Sequence, residues 1–169
     1  MGGSRESYSY LGTNWAARGY ASLHVQHVGS DSRLWSGNPF DMVSRLQSAA
    51  NEAEAINRVR DLGFALDAVL GDPQLAGVID AGRILAAGHS YGANTALLAA
   101  GAEFARAEGM LSYRDRRIVG AVIISAPPFH GEPDPEAVVR PIAIPTLHIT
   151  ATGDEIRIPG YISDYQDRL

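Results

Sequence analysis

The stretch Gly88-His89-Ser90-Tyr91-Gly92 constrains this chain more than any other. Residues 83–87 lead into it as a short, almost unbroken apolar run, the pattern of a strand buried on both faces. Residues 93–100, rich in Ala and Leu, read as a helix leaving it. A serine with a glycine two residues to either side, at a strand-to-helix joint, makes a turn too sharp for other side chains at the glycine positions. That turn lifts the hydroxyl clear of the sheet. The helix N-terminus behind it favours negative charge. Such charge develops when a serine oxygen attacks a carbonyl, and the backbone N–H of Tyr91 stands where it can receive the oxyanion. Ser90 is therefore the candidate nucleophile, with Gly88, His89 and Gly92 framing its turn.

The rest of the chain supplies alternating helices and strands. Residues 8–18 read as a helix with Tyr10, Leu11, Trp15 and Ala16 on one side, stopped by Gly19. Residues 20–28 read as a strand, with Ala21, Leu23 and Val25 on one face and His24 and Gln26 on the other. Gly37, Asn38 and Pro39 mark a turn, and residues 41–47 a short helix. A longer helix starts at Asn51, its apolar positions Ile56, Val59, Leu62, Leu66, Val69 and Leu70 spaced by three and four. Gly71-Asp72-Pro73 breaks it, and a loop runs from there to Gly82. Residues 106–116 read as a charged connection, 118–125 as a third apolar strand and 146–150 as a fourth. Four apolar strands with helical or long connections predict an α/β domain, a mostly parallel sheet with helices on both faces.

At 169 residues, 46% hydrophobic and 20% charged, the chain has the size and composition of one globular domain with a core. A net charge of -5 without a basic stripe argues against nucleic acid or an anionic membrane as partner. The arginines at 58–60 and 114–117 read as solvated faces. With no cysteine there is no disulfide, thiol catalysis or Cys-based metal site, and the compartment stays open. The apolar run at 119–126 is too short to span a bilayer, and Glu6 spoils a myristoylation pattern at Gly2.

A serine needs a base within hydrogen-bond reach and a carboxylate that orients the base. In α/β-hydrolases these follow in the order Ser, acid, His. Asp154, just past the carboxyl end of the fourth strand, fits the acid, with Glu155 as its rival. Fifteen residues follow Asp154 and none is His, so the order cannot be completed within this sequence. Of the five histidines, His89 lies in the turn, facing packing or a pocket wall, and His148 reads as a core residue of its strand. His24 and His27 fall on opposite strand faces, a poor metal pair, while His130 follows the third strand at the sheet's carboxyl edge. No spacing implies a metal or cofactor.

Beyond these motifs, Gly2-Gly3-Ser4-Arg5, Tyr8-Ser9-Tyr10-Leu11, Trp15-Ala16, Gly19-Tyr20, His24-Val25-Gln26-His27 and Gly29-Ser30-Asp31, with Gly88-His89-Ser90-Tyr91-Gly92-Ala93, give the sequence a family likeness. It resembles the α/β-hydrolases identified as dienelactone hydrolases, related to platelet-activating-factor acetylhydrolase and chlorophyllase, over nearly its whole length. The resemblance implies a serine hydrolase acting on small carboxylic esters, and a single domain over residues 1–169 that is truncated at both ends. The catalytic His and the strand carrying the second oxyanion N–H would lie outside, with Met1 or Gly2 where that donor falls. Acetylhydrolase and chlorophyllase relatives carry their acid after the strand that here ends Ser125-Ala126-Pro127, where no carboxylate stands; Asp154 matches the dienelactone-hydrolase placement. A sheet missing a middle strand exposes an edge, so weak activity and self-association through that edge are expected. The alternative from a different class is a non-catalytic module of the same fold that binds a small ligand or partner and keeps the turn as structure.

Overall fold

The computed structural model describes residues 2–36, 38, 41–107, 109–157 and 162–167, and for Val43 its backbone alone. Met1, and the turn residues Gly37 and Pro39, lie outside them. The chain divides into two compact units, residues 1–79 and 80–169.

In the first unit, helix α1 (Ser9–Ala16) ends before Gly19, whose φ of +85° favours glycine. A 3-10 turn (Ser32–Trp35) and helix α2 (Met42–Ala49) follow, and then helix α3 (Glu52–Gly71). α3 starts at Asn51 because its Oδ1 accepts the Glu54 N–H at 2.8 Å, and Glu52 and Glu54 place negative charge in the first turn. Among the described residues, Leu34, Leu46, Ala49, Val59 and Leu66 are its buried apolar side chains.

Two expectations fail in this unit. Residues 20–28 join no ladder: alternation in the sequence supplies no partner strand, and pairing is what makes a strand. Arg58 is 6% exposed rather than solvated, and its Nη1 donates to Ser30 Oγ at 2.6 Å. A buried guanidinium needs such acceptors.

The second unit holds a three-stranded parallel sheet in the order β1-β4-β5, built from β1 (Ile84–His89), β4 (Ile118–Ile124) and β5 (Thr146–Ile149). Helix α4 (Tyr91–Ala100) links β1 towards β4 and packs on both; all of its residues from Ala93 onward are buried, as an Ala/Leu helix apolar on every side requires. Helix α5 (Pro135–Val139) precedes β5, and Asp134 Oδ1 caps it through the Ala137 N–H. The structure is thus an α/β arrangement with a parallel sheet.

Three sequence expectations differ from the structure of this unit. An antiparallel hairpin, β2 (Glu103–Arg106) and β3 (Gly109–Ser112), runs from before the expected charged connection at 106–116 into its first half. Phe104 faces inward and Gly109 has φ +124° beside the turn. Among the described residues of this unit, helix α4 covers one face of the sheet. Ala86, Ala121 and Ile123 are buried on the side of α4, whereas Leu85, Leu147 and Ile149 on the other side are 55%, 57% and 45% exposed. His148 is no core residue either, because every residue of the edge strand β5 is exposed; its Nε2 lies 3.1 Å from Thr146 Oγ1.

Candidate active site

At the carboxyl end of β1 the chain turns through Ser90 into α4. Ser90 has φ +54° and ψ −126°, a conformation that non-glycine residues adopt at a cost. The turn is closed from both sides. The Ser90 N–H donates to Ile124 O at 2.9 Å, and Ser90 O accepts from the Ala93 N–H at 2.8 Å. A Cβ on Gly88 would fall into the Gly92 carbonyl and within 2.7 Å of Ala93 N, so the backbone on the two sides of the serine touches directly. Only glycine permits this approach. Ser90 is half-buried at the helix N-terminus, with Tyr91 the first residue of α4, and His89 is exposed at the end of β1.

The carboxyl edge of the sheet gathers the other candidates of this unit. The Ser125 N–H donates to Ile149 O at 2.8 Å, which extends the strand pairing past β4. Asp154 lies in the loop after β5, at the carboxyl end of the sheet from which Ser90 also emerges; β5 itself stands two strands from β1, about 10 Å at ordinary strand spacing. It is half-buried; its Oδ2 accepts from Thr150 Oγ1 at 3.0 Å and its N–H closes a turn onto Ala151 O at 3.0 Å. Glu155 is exposed and held by Arg157, whose Nε lies 2.7 Å from Oε2. His130 is exposed in the loop after β4.

That loop is anchored by contacts sequence reasoning missed. Phe129 packs edge-on against Phe104 of the hairpin at 5.3 Å between centroids, and the Arg106 guanidinium sits 4.9 Å over the Phe104 ring. Arg106 also grips Glu132 with both terminal nitrogens, Nη2 at 2.7 Å and Nη1 at 3.3 Å. The sequence signal for this clasp is only two aromatics and two opposite charges far apart in the chain.

In the first unit, several of the residues that carry the family likeness form one hydrogen-bonded cluster. Gly2 N–H donates to Ser30 O at 2.8 Å, Gly3 bridges Asp31, and the Arg5 N–H donates to Gln26 Oε1 at 2.9 Å. Gln26 Nε2 donates to Asp31 Oδ2 at 2.9 Å, and Trp35 Nε1 donates to Gly2 O at 2.7 Å. Gly2 has φ +73°, and a Cβ there would strike the Trp35 ring. The N–H of Gly2, the second oxyanion donor expected from the resemblance, is engaged with Ser30 O. The Arg33 and Gln26 hydrogen bonds hold the Asp31 carboxyl well below the usual range, at about 2.

Two further histidines have assigned neighbours. A Cβ on Gly12 would come within 2.6 Å of His24 Nε2, so α1 and this ring approach closely. His27 Nδ1 lies 2.9 Å from Asp61 Oδ2 of α3. Burial and the Arg58 charge push the His27 pKa down despite Asp61, so the ring is neutral near pH 7. Among the described residues no group of three His, Asp or Glu side chains could hold a metal ion, and no helix is long and apolar enough to cross a membrane. No family model, curated protein or solved structure matches this chain.

Proposed function

We propose that the chain is a serine hydrolase of the α/β-hydrolase kind, acting on small carboxylic esters through an acyl-enzyme. The observation that carries this is the backbone of Ser90: a non-glycine residue held at φ +54° between a parallel strand and a helix N-terminus, with Gly88 pressed against Gly92. A fold gains nothing structural from a hydroxyl in that strained position, whereas a nucleophile needs it.

In the chemistry this supports, Ser90 Oγ attacks the ester carbonyl while a base removes its proton. The Tyr91 N–H and the α4 N-terminus stabilise the oxyanion. The tetrahedral intermediate expels the alcohol, which takes the proton back, and water then releases the acid from the acyl-enzyme. Asp154 orients the base. Its hydrogen bond from Thr150 and the pairing of Glu155 with Arg157 favour Asp154 over its neighbour. No histidine follows Asp154 in the sequence, so the order Ser, acid, His is not completed within these 169 residues. Triad members act as a unit, and without one of them only roughly 10³ to 10⁴-fold over water remains.

A fluorophosphonate probe tests this by intact-mass spectrometry and peptide mapping. Slow labelling at Ser90, abolished by Ser90→Ala, is the expected result. Labelling at other residues, or labelling indifferent to Ser90→Ala, overturns the assignment.

A further inference from the structure

Ser90 is not alone in its backbone strain. Among the described residues only one other non-glycine has a positive φ: Ser125, at +52°. The two stand side by side. His89 and Ile124 are the last paired residues of β1 and β4, and Ser90 and Ser125 follow them on adjacent parallel strands. The peptide joining Ile124 to Ser125 accepts the Ser90 N–H at 2.9 Å, which puts the two serine backbones about one strand spacing, ~4.8 Å, apart. Ser125 is tied on its other side by its own N–H to Ile149 O at 2.8 Å.

Glycine would adopt this φ without cost, so a serine there calls for a use of its side chain. Ser125 is half-buried, neither sealed in the core nor fully solvated. The segment after it is rigid: Ala126, Pro127 and Phe129 are buried, and the Phe129–Phe104 contact and the Arg106–Glu132 ion pair clamp the loop beyond. A hydroxyl with its backbone fixed on both sides, beside a nucleophile, suits substrate positioning because little freedom remains to be lost on binding.

We propose that Ser125 is a substrate-contacting residue, its hydroxyl donating a hydrogen bond to an oxygen of the group carried on Ser90. This rests on the serine-hydrolase reading and extends it. The ligand class is an oxygen-rich tetrahedral group: the ester's own tetrahedral intermediate, or a boronate that mimics it.

The test uses phenylboronic acid and the full chain. Ser90 Oγ adds to the trigonal boron, its proton passes to the buffer, and an anionic tetrahedral boronate forms, read by boron-11 NMR. The expected result is an adduct abolished by Ser90→Ala and weakened about 10- to 100-fold by Ser125→Ala, the effect of losing one hydrogen bond to a charged group. Ser125→Asn, which tolerates positive φ and keeps a donor, retains most of the affinity. Ser125→Gly binds as weakly as Ser125→Ala, although relief of strain leaves its Tm unchanged or raised by about 2–4 °C. A residue with a merely structural role would not lose affinity while gaining stability. A Ser90-dependent adduct of equal affinity in wild type, Ser125→Ala and Ser125→Gly overturns the role of Ser125 and leaves the hydrolase assignment standing. Absence of any Ser90-dependent adduct overturns both.

Discussion

Gly88 shows how much one hydrogen atom can decide. Replacing it with a methyl in Gly88→Ala drives Cβ into the Gly92 carbonyl, and backbone cannot move aside as a flexible side chain can. Gly88→Ala is expected to cost about 3 kcal/mol or more, at the upper end of overpacking, with β1 and α4 forced apart. A denaturant melt checks it, and a loss below about 1 kcal/mol would mean that the turn has slack to absorb a methyl group. At Asp31 the consequence is a pH dependence. Its carboxyl is held at about 2 against an ordinary 3.8, so the folded form binds its proton less readily than the unfolded one. The stabilisation is full above about pH 4 and is lost as the pH falls towards 2. An acid titration of wild type should show that slope, and Asp31→Asn should flatten it. His27, with its pKa pushed down, acts in the same direction, although protonation gives it a charge where it takes one from Asp31: its unfolded form takes the proton first, so acidification below its ordinary value of 6.5 also disfavours the fold.

Among the elements, α3 is the one whose sequence states its own beginning. Asn51 caps it through the Glu54 N–H, and Asn51→Ala should lower stability by about 1 kcal/mol, with Asn51→Gly costing only a few tenths. A melt that leaves both variants equal to wild type would show that this end of α3 contributes nothing. Elements of this kind were legible because their causes are local: a cap, an apolar spacing, a breaker such as Gly71-Asp72-Pro73, or the glycines around Ser90. Where the cause is distant the sequence is silent. Residues 20–28 carry strand-like alternation, but no sequence pattern announces whether a partner strand exists. The hairpin at 103–112 was hidden by its charges, since Arg106 looks like surface until Glu132 and Phe104 stand beside it. Arg58 likewise looks solvated until Ser30 is found against it. For the candidate site, the turn around Ser90 could be read directly, and the strand end that carries Asp154 followed from an apolar run. Ser125 could not be read, because its importance lies in a φ angle and a neighbouring strand.

At the scale of the whole molecule, the sheet of the second unit has surface left over. β1 and β5 are edges of a three-stranded sheet, and Leu85, Leu147 and Ile149 on one face are roughly half exposed. Parallel sheets are ordinarily covered on both faces, and edge strands ordinarily carry charges or bulges that discourage pairing. β5, with the sequence Thr-Leu-His-Ile, carries no Asp, Glu, Lys or Arg and no proline. Its hydrogen-bonding groups on the free side and its two exposed aliphatics predict pairing with a second copy of the chain, at the edge opposite the one beside β1 expected from the sequence. Sedimentation velocity should show a mass that rises with protein concentration, and a melting transition that shifts with it. Leu147→Lys with Ile149→Lys should reduce that association while leaving β4, the interior strand, folded, because both changes fall on exposed positions. A wild-type chain that remains monomeric and melts sharply and reversibly at one temperature over a hundredfold concentration range would show instead that the open face is tolerated without a partner.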